Sequence, residues 1–231
     1  MPHLTTARFH TTVAALHQLP VDDLPEVAFV GRSNAGKSSA INVLCNRRRL
    51  AFASRTPGRT QALNYFAVGA ADRIDGFIVD TPGYGYAAAP LETKREWDAL
   101  AGRYLGHRPQ LSGVVLVADI RRQLTPLDAH LLSWITPETP VAVALTKSDK
   151  LPHAQRQAAL RAVRAELDRL RPDIRNRVVL FSALSRSGSD ALSGIVEAWL
   201  IRDAVPGLAL DEPAGEKKEP RQPYSPGAER P

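Results

Sequence analysis

Cysteine and long apolar runs are what this sequence has least of. Cys45 is the only cysteine among 231 residues, so no disulfide can form within the chain and a reducing compartment is expected. No run approaches the roughly 18 apolar residues of a membrane span. Residues 1–20 have no apolar core behind a basic start, so no signal peptide is expected either. The six histidines show no metal-ligand spacing with the cysteine, so we predict no zinc site.

The charge of the chain is moderately basic. Lysine and arginine total 30 against 24 aspartate and glutamate residues, which gives a net charge of +6 and an isoelectric point near 9.8. Such a surface suits nucleic acid or an anionic membrane face, although ordinary solubility explains it as well. Hydrophobic residues make up 44% of the chain, enough for a sizeable core.

Short apolar runs alternate with helical stretches along most of the chain. Strands are predicted at 27–30, 62–68, 76–80, 113–119, 141–146 and 178–183, and helices at 37–46, 91–106, 126–135, 153–170 and 189–202. This alternation predicts an α/β fold of three layers, with a mostly parallel six-stranded sheet, one antiparallel edge strand and helices on both faces. The second and third runs are too close for a parallel crossover and should form a hairpin.

Composition divides the chain into three parts. Residues 1–24 are expected to form a partly ordered lead-in, and residues 25–202 the folded α/β domain. Residues 203–231 are rich in proline and charge, cannot bury a core, and are predicted to be disordered.

A phosphate-binding loop follows the first predicted strand of the domain. The segment GRSNAGKS fits the pattern G-x-x-x-x-G-K-[ST] and opens a predicted helix, whose positive end favours phosphate. Glycines let backbone N–H groups turn toward the phosphates, Lys37 meets the β and γ charges, and the Ser38 hydroxyl is a Mg²⁺ ligand. The residues expected to line the phosphates are Gly31, Arg32, Ser33, Asn34, Ala35, Gly36, Lys37 and Ser38.

A second motif, DTPG, closes the strand at 76–80. Asp80 can hold Mg²⁺ through water, and the Gly83 N–H can touch the γ-phosphate, with Thr81 and Pro82 between them. The preceding loop, SRTPGRTQ at 54–61, contains two threonines. One of them should complete the Mg²⁺ shell when the γ-phosphate is present, and spacing does not choose between Thr56 and Thr60.

A base-reading motif follows the strand at 141–146. The carboxylate of Asp149 can accept hydrogen bonds from two guanine N–H groups, a pair that adenine lacks. A lost hydrogen bond in such a pocket costs roughly 1–3 kcal/mol. Lys147 can lie across the base. The stretch TKSD consists of Thr146, Lys147, Ser148 and Asp149, and the stretch FSA, whose backbone N–H groups could reach guanine O6, of Phe181, Ser182 and Ala183.

Together, GRSNAGKSS, SRTPGRTQALNYF, DTPGYGYA, TKSDK and FSA resemble the EngB/YsxC ribosome-assembly GTPases, in the translation-factor-related branch of the P-loop GTPases. The resemblance covers roughly residues 5–202, and TPGRTQ and PGYGYA are its most specific stretches. It implies that Thr60 is the Mg²⁺ ligand. It adds nucleotide contacts at Gly58, Arg59, Thr60, Gln61 and Ala62.

The resemblance also implies a role for the protein. Family members are cytosolic bacterial proteins that help mature the large ribosomal subunit and are needed for normal cell division. The chain departs from the family at Thr81, where an aliphatic residue is more common. Thr146 replaces the asparagine of most GTPases but is usual in this family.

Catalysis should be incomplete within the chain. Many small GTPases place a glutamine after the D-x-x-G glycine to orient water, and here Tyr84 stands there, so slow intrinsic hydrolysis is expected. We expect Lys37, Asn34 and Gly83 to stabilise the transition state. Asn34 could bind K⁺ near the β and γ phosphates, as it does in related GTPases, or it could merely shape the loop. Alternatively, a ribosomal particle supplies the missing group.

Two features could contact RNA or a partner. Residues 47–61 hold five arginines and no acid, which fits phosphate binding, although a solvated basic face is the alternative. The arginine-rich helix at 153–171 is diluted by acids and is expected to be a solvated face. Tyr84 and Tyr86 could stack on a partner or pack within the switch.

These observations leave rival functions open. A GTPase acting on another RNA or at a membrane would use the same motifs, but the chain shows no extra domain for either. An ATP-dependent phosphotransferase would share the phosphate loop and not the guanine reader. GTP and GDP, Mg²⁺ and the large subunit or its precursor are the expected ligands and partner, and a monomer is the default.

Overall fold

The computed structural model describes residues 3–52, 62–85, 91–173 and 175–201. Its strands are β1 (Arg8–Val13), β2 (Glu26–Gly31), β3 (Leu63–Val68), β4 (Gly76–Asp80), β5 (Leu111–Asp119), β6 (Val141–Thr146) and β7 (Arg177–Leu180). Its helices are α1 (Lys37–Leu44), α2 (Leu91–His107), α3 (Pro126–Leu132), α4 (His153–Leu170) and α5 (Ser189–Trp199). None of the helices in these ranges is long and apolar enough to cross a bilayer.

The strands form one sheet in the order β1-β3-β4-β2-β5-β6-β7. Strands β4, β2, β5, β6 and β7 run parallel, whereas β3 is antiparallel to β4, which confirms the predicted hairpin. The parallel strands therefore present their carboxyl ends at one edge, where ligands bind in sheets of this type. The predicted fold class is confirmed.

The sheet has seven strands instead of the predicted six because β1 forms within the predicted lead-in. Strand β1 pairs antiparallel with β3, with an irregularity between Phe9 and Thr11. Its side chains are mostly exposed, and only Val13 is buried. An edge strand of this kind forms through backbone pairing with its neighbour, so it lacks the apolar run that marks the central strands.

Two apolar layers sandwich the sheet. Strand β5 shows the division, since Val114 and Leu116 pack with α2, α3 and α4 while Val115 and Val117 pack with α1 and α5. Cys45 lies in the second layer, where burial raises the pKa of its thiol to about 12. It is a small core residue of this layer.

One charged group lies inside the core at the end of the sheet opposite the carboxyl ends. The side chain of Glu26 is fully buried and accepts hydrogen bonds from the Tyr104 hydroxyl at 2.8 Å and the Tyr65 hydroxyl at 3.1 Å. Arg108 donates to the other carboxylate oxygen from Nε at 3.0 Å and to Pro20 O at 2.8 Å. The network ties α2 to β2, to β3 and to the segment before β2. Burial raises the pKa of both tyrosine hydroxyls, and the negative Glu26 adds to the effect.

Candidate nucleotide-binding site

The phosphate loop begins where β2 meets its neighbour most closely. A side chain at Gly31 would place its Cβ 2.6 Å from Val117 O, so only glycine fits there. Gly36 has a φ of 102° and precedes the first residue of α1, a conformation that glycine adopts without strain. The loop therefore turns back over the start of α1, with Ser38 in the first turn of that helix.

Lys37 and Asp80 meet at the edge of the sheet. Their side chains form an ion pair and are only 10% and 7% exposed. The lysine comes from the phosphate loop and the aspartate from the end of β4, so the structure brings together two motifs that lie far apart in sequence. A cation and a carboxylate sheltered from water at this point suit a site for phosphate and a divalent ion.

The DTPG segment is held against the phosphate loop by backbone hydrogen bonds. Ser33 N donates to Tyr84 O at 2.9 Å and Tyr84 N donates to Gly31 O at 3.3 Å. The Ser33 hydroxyl donates to Gly83 O at 3.2 Å. Because a Cβ at Gly83 would lie 3.1 Å from three atoms of Ser33, glycine allows this close approach. Thr81 is buried, and both its N–H and its hydroxyl donate to Phe29 O.

Tyr84 is a packing residue of the switch. It is 6% exposed, and its hydroxyl donates to a carboxylate oxygen of Asp128. The second oxygen of Asp128 accepts from Thr125 N at 2.6 Å and so caps α3. Burial raises the pKa of the Tyr84 hydroxyl, and the Asp128 charge raises it further. Tyr84 therefore links the DTPG segment to α3, while Tyr86 lies outside the described residues.

The TKSD segment contacts the phosphate loop from the other side. The Thr146 hydroxyl donates to Ala35 O. Lys147 has a φ of 58°, and its ammonium group donates to Asn34 O at 2.8 Å. The aliphatic stem of Lys147 therefore spans the space between the TKSD segment and the phosphate loop, as expected of a side chain that lies over a base.

Asp149 is held by the segment after β7. The Ser182 hydroxyl donates to Asp149 Oδ1 at 2.6 Å, and this hydrogen bond lowers the pKa of the Asp149 carboxyl. The Phe181 and Ser182 N–H groups donate to Leu145 O and Ser187 O. Within the described ranges, Ala183 is then the residue of this segment whose N–H is left to reach a base.

Asp119 is a site residue that the motif search missed. It ends β5 opposite Thr146, is 7% exposed, and lies 3.0 Å from the Lys147 ammonium. Arg121 donates to both of its oxygens, and these bonds, followed by that of Lys147, hold the pKa of the carboxyl well below its usual range. An acid at the carboxyl end of a buried parallel strand was the available signal. Its partnership with Lys147 orients the lysine.

Some predicted positions fall outside the described residues. These are Thr56, Gly58, Arg59, Thr60 and Gln61, while Ala62 immediately precedes β3.

The remaining donors fit Mg²⁺. A hydroxyl on Ser38 and a carboxylate on Asp80 are hard oxygen ligands, which Mg²⁺ prefers. In the described part of the chain, no three histidine, cysteine or acidic side chains cluster as metal ligands. Mg²⁺ usually takes one or two protein oxygens and fills its shell with phosphate and water, so a sparse donor set is what this ion requires.

Comparison with known proteins supports these features. Residues 26–147 match the sequence model of a family described as "50S ribosome-binding GTPase". A probable GTP-binding protein EngB from Ralstonia nicotianae is 48% identical and is covered over 99% of its length by 100% of this chain. Its counterpart from Paraburkholderia xenovorans is 49% identical, with 87% of this chain and 94% of the relative aligned.

Solved structures show the same fold at lower identity. A crystal structure of a probable GTP-binding protein EngB superposes with a TM-score of 0.55 at 22% identity, covering 76% of this chain and 98% of that one. A bacterial selenocysteine-specific elongation factor gives a TM-score of 0.53 at 19% identity, over 77% of this chain and 28% of its own. The matched family and the extent of the close relatives lead to one conclusion: the chain belongs to the EngB family of P-loop GTP-binding proteins.

Proposed function

We propose that this protein hydrolyses GTP slowly, as a molecular switch in the assembly of the large ribosomal subunit, and is required for normal cell division. The observation that carries the nucleotide part is the convergence of four segments at one sheet edge. Lys37 meets Asp80, Lys147 meets the phosphate loop, and Asp149 meets Ser182. The family description, a 50S ribosome-binding GTPase, supports the ribosomal part. We place the protein in the bacterial cytoplasm, as a monomer.

Each converging residue has a proposed role in the reaction. Lys37 neutralises the β and γ phosphates, and the Gly83 N–H, which donates no hydrogen bond within the described residues, is available to the γ-phosphate. Ser38 and Asp80, with Thr60 from the switch loop, would hold Mg²⁺. Such an ion would supply positive charge against the negative charge that develops on the phosphates. Tyr84 is sequestered by Asp128 and orients no water, which supports a low intrinsic rate.

Cosedimentation with ribosomal particles tests the ribosomal role. We expect the GTP-loaded protein to pellet with large-subunit particles and their precursors in a salt-sensitive manner, and the GDP-bound and nucleotide-free forms to remain mostly in the supernatant. Small-subunit particles serve as the control. Equal absence from the pellet in all three nucleotide states would refute the assembly role and leave the GTPase assignment intact.

Potassium dependence tests the role of Asn34. This residue has a φ of 65°, its carbonyl oxygen accepts from Lys147, and its exposed side chain makes no hydrogen bond within the described residues. The amide oxygen is thus free to bind K⁺, and we expect GTP turnover to be roughly tenfold or more faster in KCl than in NaCl. Phosphate-release assays in KCl and in NaCl at equal ionic strength measure the ratio of the two turnover rates.

A glycine variant separates the two roles of Asn34. Glycine tolerates the left-handed conformation, so Asn34→Gly keeps the loop shape and removes only the amide. We expect this variant to bind GDP normally and to turn over GTP at the same slow rate in both salts. Equal wild-type rates in KCl and NaCl, or a K⁺ effect that survives in Asn34→Gly, would leave Asn34 with the loop-shaping role alone.

A further inference from the structure

The chain after α1 forms a compact loop that displays three consecutive arginines. The side chain of Asn42 closes the loop: its oxygen accepts from Leu50 N at 2.9 Å and from Ala51 N at 2.8 Å, and its nitrogen donates to Ala51 O at 2.8 Å. Within the loop, Arg47, Arg48 and Arg49 are all exposed. Their presentation to solvent is therefore a built feature of the fold.

The positive charge of this loop has no acidic ion-pair partner among the residues that the structure describes. Residues 37–52 contain no aspartate or glutamate. Among the described residues, no carboxylate lies within 4.0 Å of Arg48 or Arg49. Helix α4, the other arginine-rich element, differs because Arg164 pairs with Asp168 and Arg169 pairs with Glu166. Two of the four α4 arginines are thus paired with acids of their own helix, in keeping with the solvated face expected there.

Stabilisation of the α1 carboxyl end does not account for three arginines. One cation within the last turn of a helix gives the favourable dipole interaction, which fades beyond that turn. The guanidinium of Arg47 donates instead to Thr5 O, at 3.5 Å. Three consecutive arginines also repel one another. Solvent only screens this repulsion, whereas a ligand that carries several negative charges would offset it.

A second segment extends this surface. Arg186, in the turn between β7 and α5, donates to the Asn46 side chain at 2.8 Å and so joins that turn to the arginine loop. Leu184 in the same turn is 80% exposed, and Phe52 at the end of the loop is 75% exposed. We call these residues the arginine surface: Arg47, Arg48, Arg49, Phe52, Leu184 and Arg186.

We propose that the arginine surface is the RNA-binding surface of this protein, an inference that rests on the proposed ribosomal function and names the partner within it. Guanidinium groups bind phosphate oxygens in bidentate fashion, and several in a row match a polyanionic backbone. The exposed Phe52 ring offers a stacking face for an unpaired base, which proteins use for single-stranded loops and bulges of RNA. Charge and aromatic surface together thus favour a structured RNA with splayed bases.

The turn that carries Leu184 and Arg186 also follows the base-reading segment. Ser182, which holds Asp149, lies two residues before Leu184. RNA on the arginine surface therefore contacts a turn that is continuous with the guanine pocket.

Salt-dependent binding to protein-free large-subunit rRNA tests the proposal. Each phosphate neutralised contributes roughly 0.7–0.9 to the slope of log affinity against log salt. We expect the triple variant R47A/R48A/R49A to lower that slope by about 2 and to bind the rRNA at least about tenfold more weakly at 0.1 M salt. Phe52→Ala should weaken binding roughly tenfold with little change in slope. Filter binding with labelled rRNA measures both quantities.

A charge-matched variant is the control. R73A/R161A/R169A removes the same number of exposed arginines from other faces, and we expect its rRNA affinity to stay within about twofold of the wild type because those side chains lie off the surface. Unchanged GDP affinity of each variant, by calorimetry, reports intact folding.

The remaining outcomes separate this proposal from the ribosomal function. Equal weakening by the two triple variants would assign the effect to net charge and overturn the proposal. If R47A/R48A/R49A lost binding to large-subunit particles but kept rRNA binding, the surface would be assigned to a ribosomal protein. If the variant lost binding to anionic vesicles alone, the surface would be assigned to a membrane. Wild-type protein that binds rRNA through the surface but never binds particles would refute the assembly role while sustaining the surface.

Discussion

Replacing Asp149 by asparagine should weaken GDP binding about 100- to 10,000-fold, because one hydrogen bond from guanine to a charged acceptor is lost and the second guanine donor is left unpaired. Guanine presents N1–H and N2–H donors side by side, and a carboxylate accepts both. The asparagine amide accepts one and opposes the other with a donor of its own. Two donors then face each other in the nucleotide complex, and this unpaired contact adds a penalty to the loss of the bond.

The same substitution should create affinity for xanthosine diphosphate. Xanthine carries an N1–H donor beside a carbonyl acceptor, which matches the acceptor and donor of an asparagine amide. Ser182 donates to Asp149 Oδ1 at 2.6 Å, and an amide oxygen can accept that bond as well, so the pocket should keep its shape. The variant would thus change its specificity from guanine to xanthine nucleotides, and not simply lose affinity for nucleotides.

Calorimetric titration of both proteins with the diphosphates of guanosine, xanthosine and adenosine measures this exchange. Asp190→Asn, which neutralises an exposed acid at the start of α5, is the matched control and should leave GDP affinity unchanged. GDP affinity of Asp149→Asn within tenfold of the wild type would show that Asp149 does not contact the base.

The parts of the fold that could be predicted are those with a local signal. Continuous apolar runs marked β5 and β6 as buried parallel strands, and the structure places them at Leu111–Asp119 and Val141–Thr146. Motif order then predicted which strand ends meet, since carboxyl ends of parallel strands share an edge. The contact of Lys37 with Asp80, 43 residues apart, follows from that topology.

The parts that could not be predicted depend on partners distant in sequence. Glu26 precedes an apolar run, and the sequence around it gives no sign that its carboxylate is buried. Its hydrogen-bond donors Tyr65, Tyr104 and Arg108 are brought to it by tertiary packing. Asp119 belongs to no nucleotide motif; its position at the end of β5 is visible in the sequence, but its role is assigned by its contact with Lys147. A single sequence carries little information on such pairings, because each partner is an ordinary polar residue when viewed alone.

The Glu26 network should be a major contributor to the stability of the fold. Glu26→Ala leaves the Arg108 guanidinium, 11% exposed, without its counter-ion and leaves two buried tyrosine hydroxyls without their acceptor. Removing one partner of a buried ion pair typically costs about 3–5 kcal/mol, because the other charge stays buried and unpaired. We expect the free energy of unfolding, from urea titration with far-UV circular dichroism, to fall by that amount.

Comparison with a surface pair isolates burial as the cause. Asp168→Ala breaks an ion pair with Arg164 in which both side chains are more than 40% exposed, and it should cost no more than about 1 kcal/mol.

The double variant Glu26→Ala/Arg108→Ala should be destabilised by less than the sum of the losses in its two single variants, since the unpaired cation is removed together with its partner. The network begins at the start of β2, whereas the phosphate loop begins at its end, about 17 Å away along a strand of six residues. Folded Glu26→Ala protein should therefore still bind GDP. A loss of less than about 1 kcal/mol would mean that water or rearranged side chains satisfy Arg108, and that the buried carboxylate does not anchor α2 to the sheet.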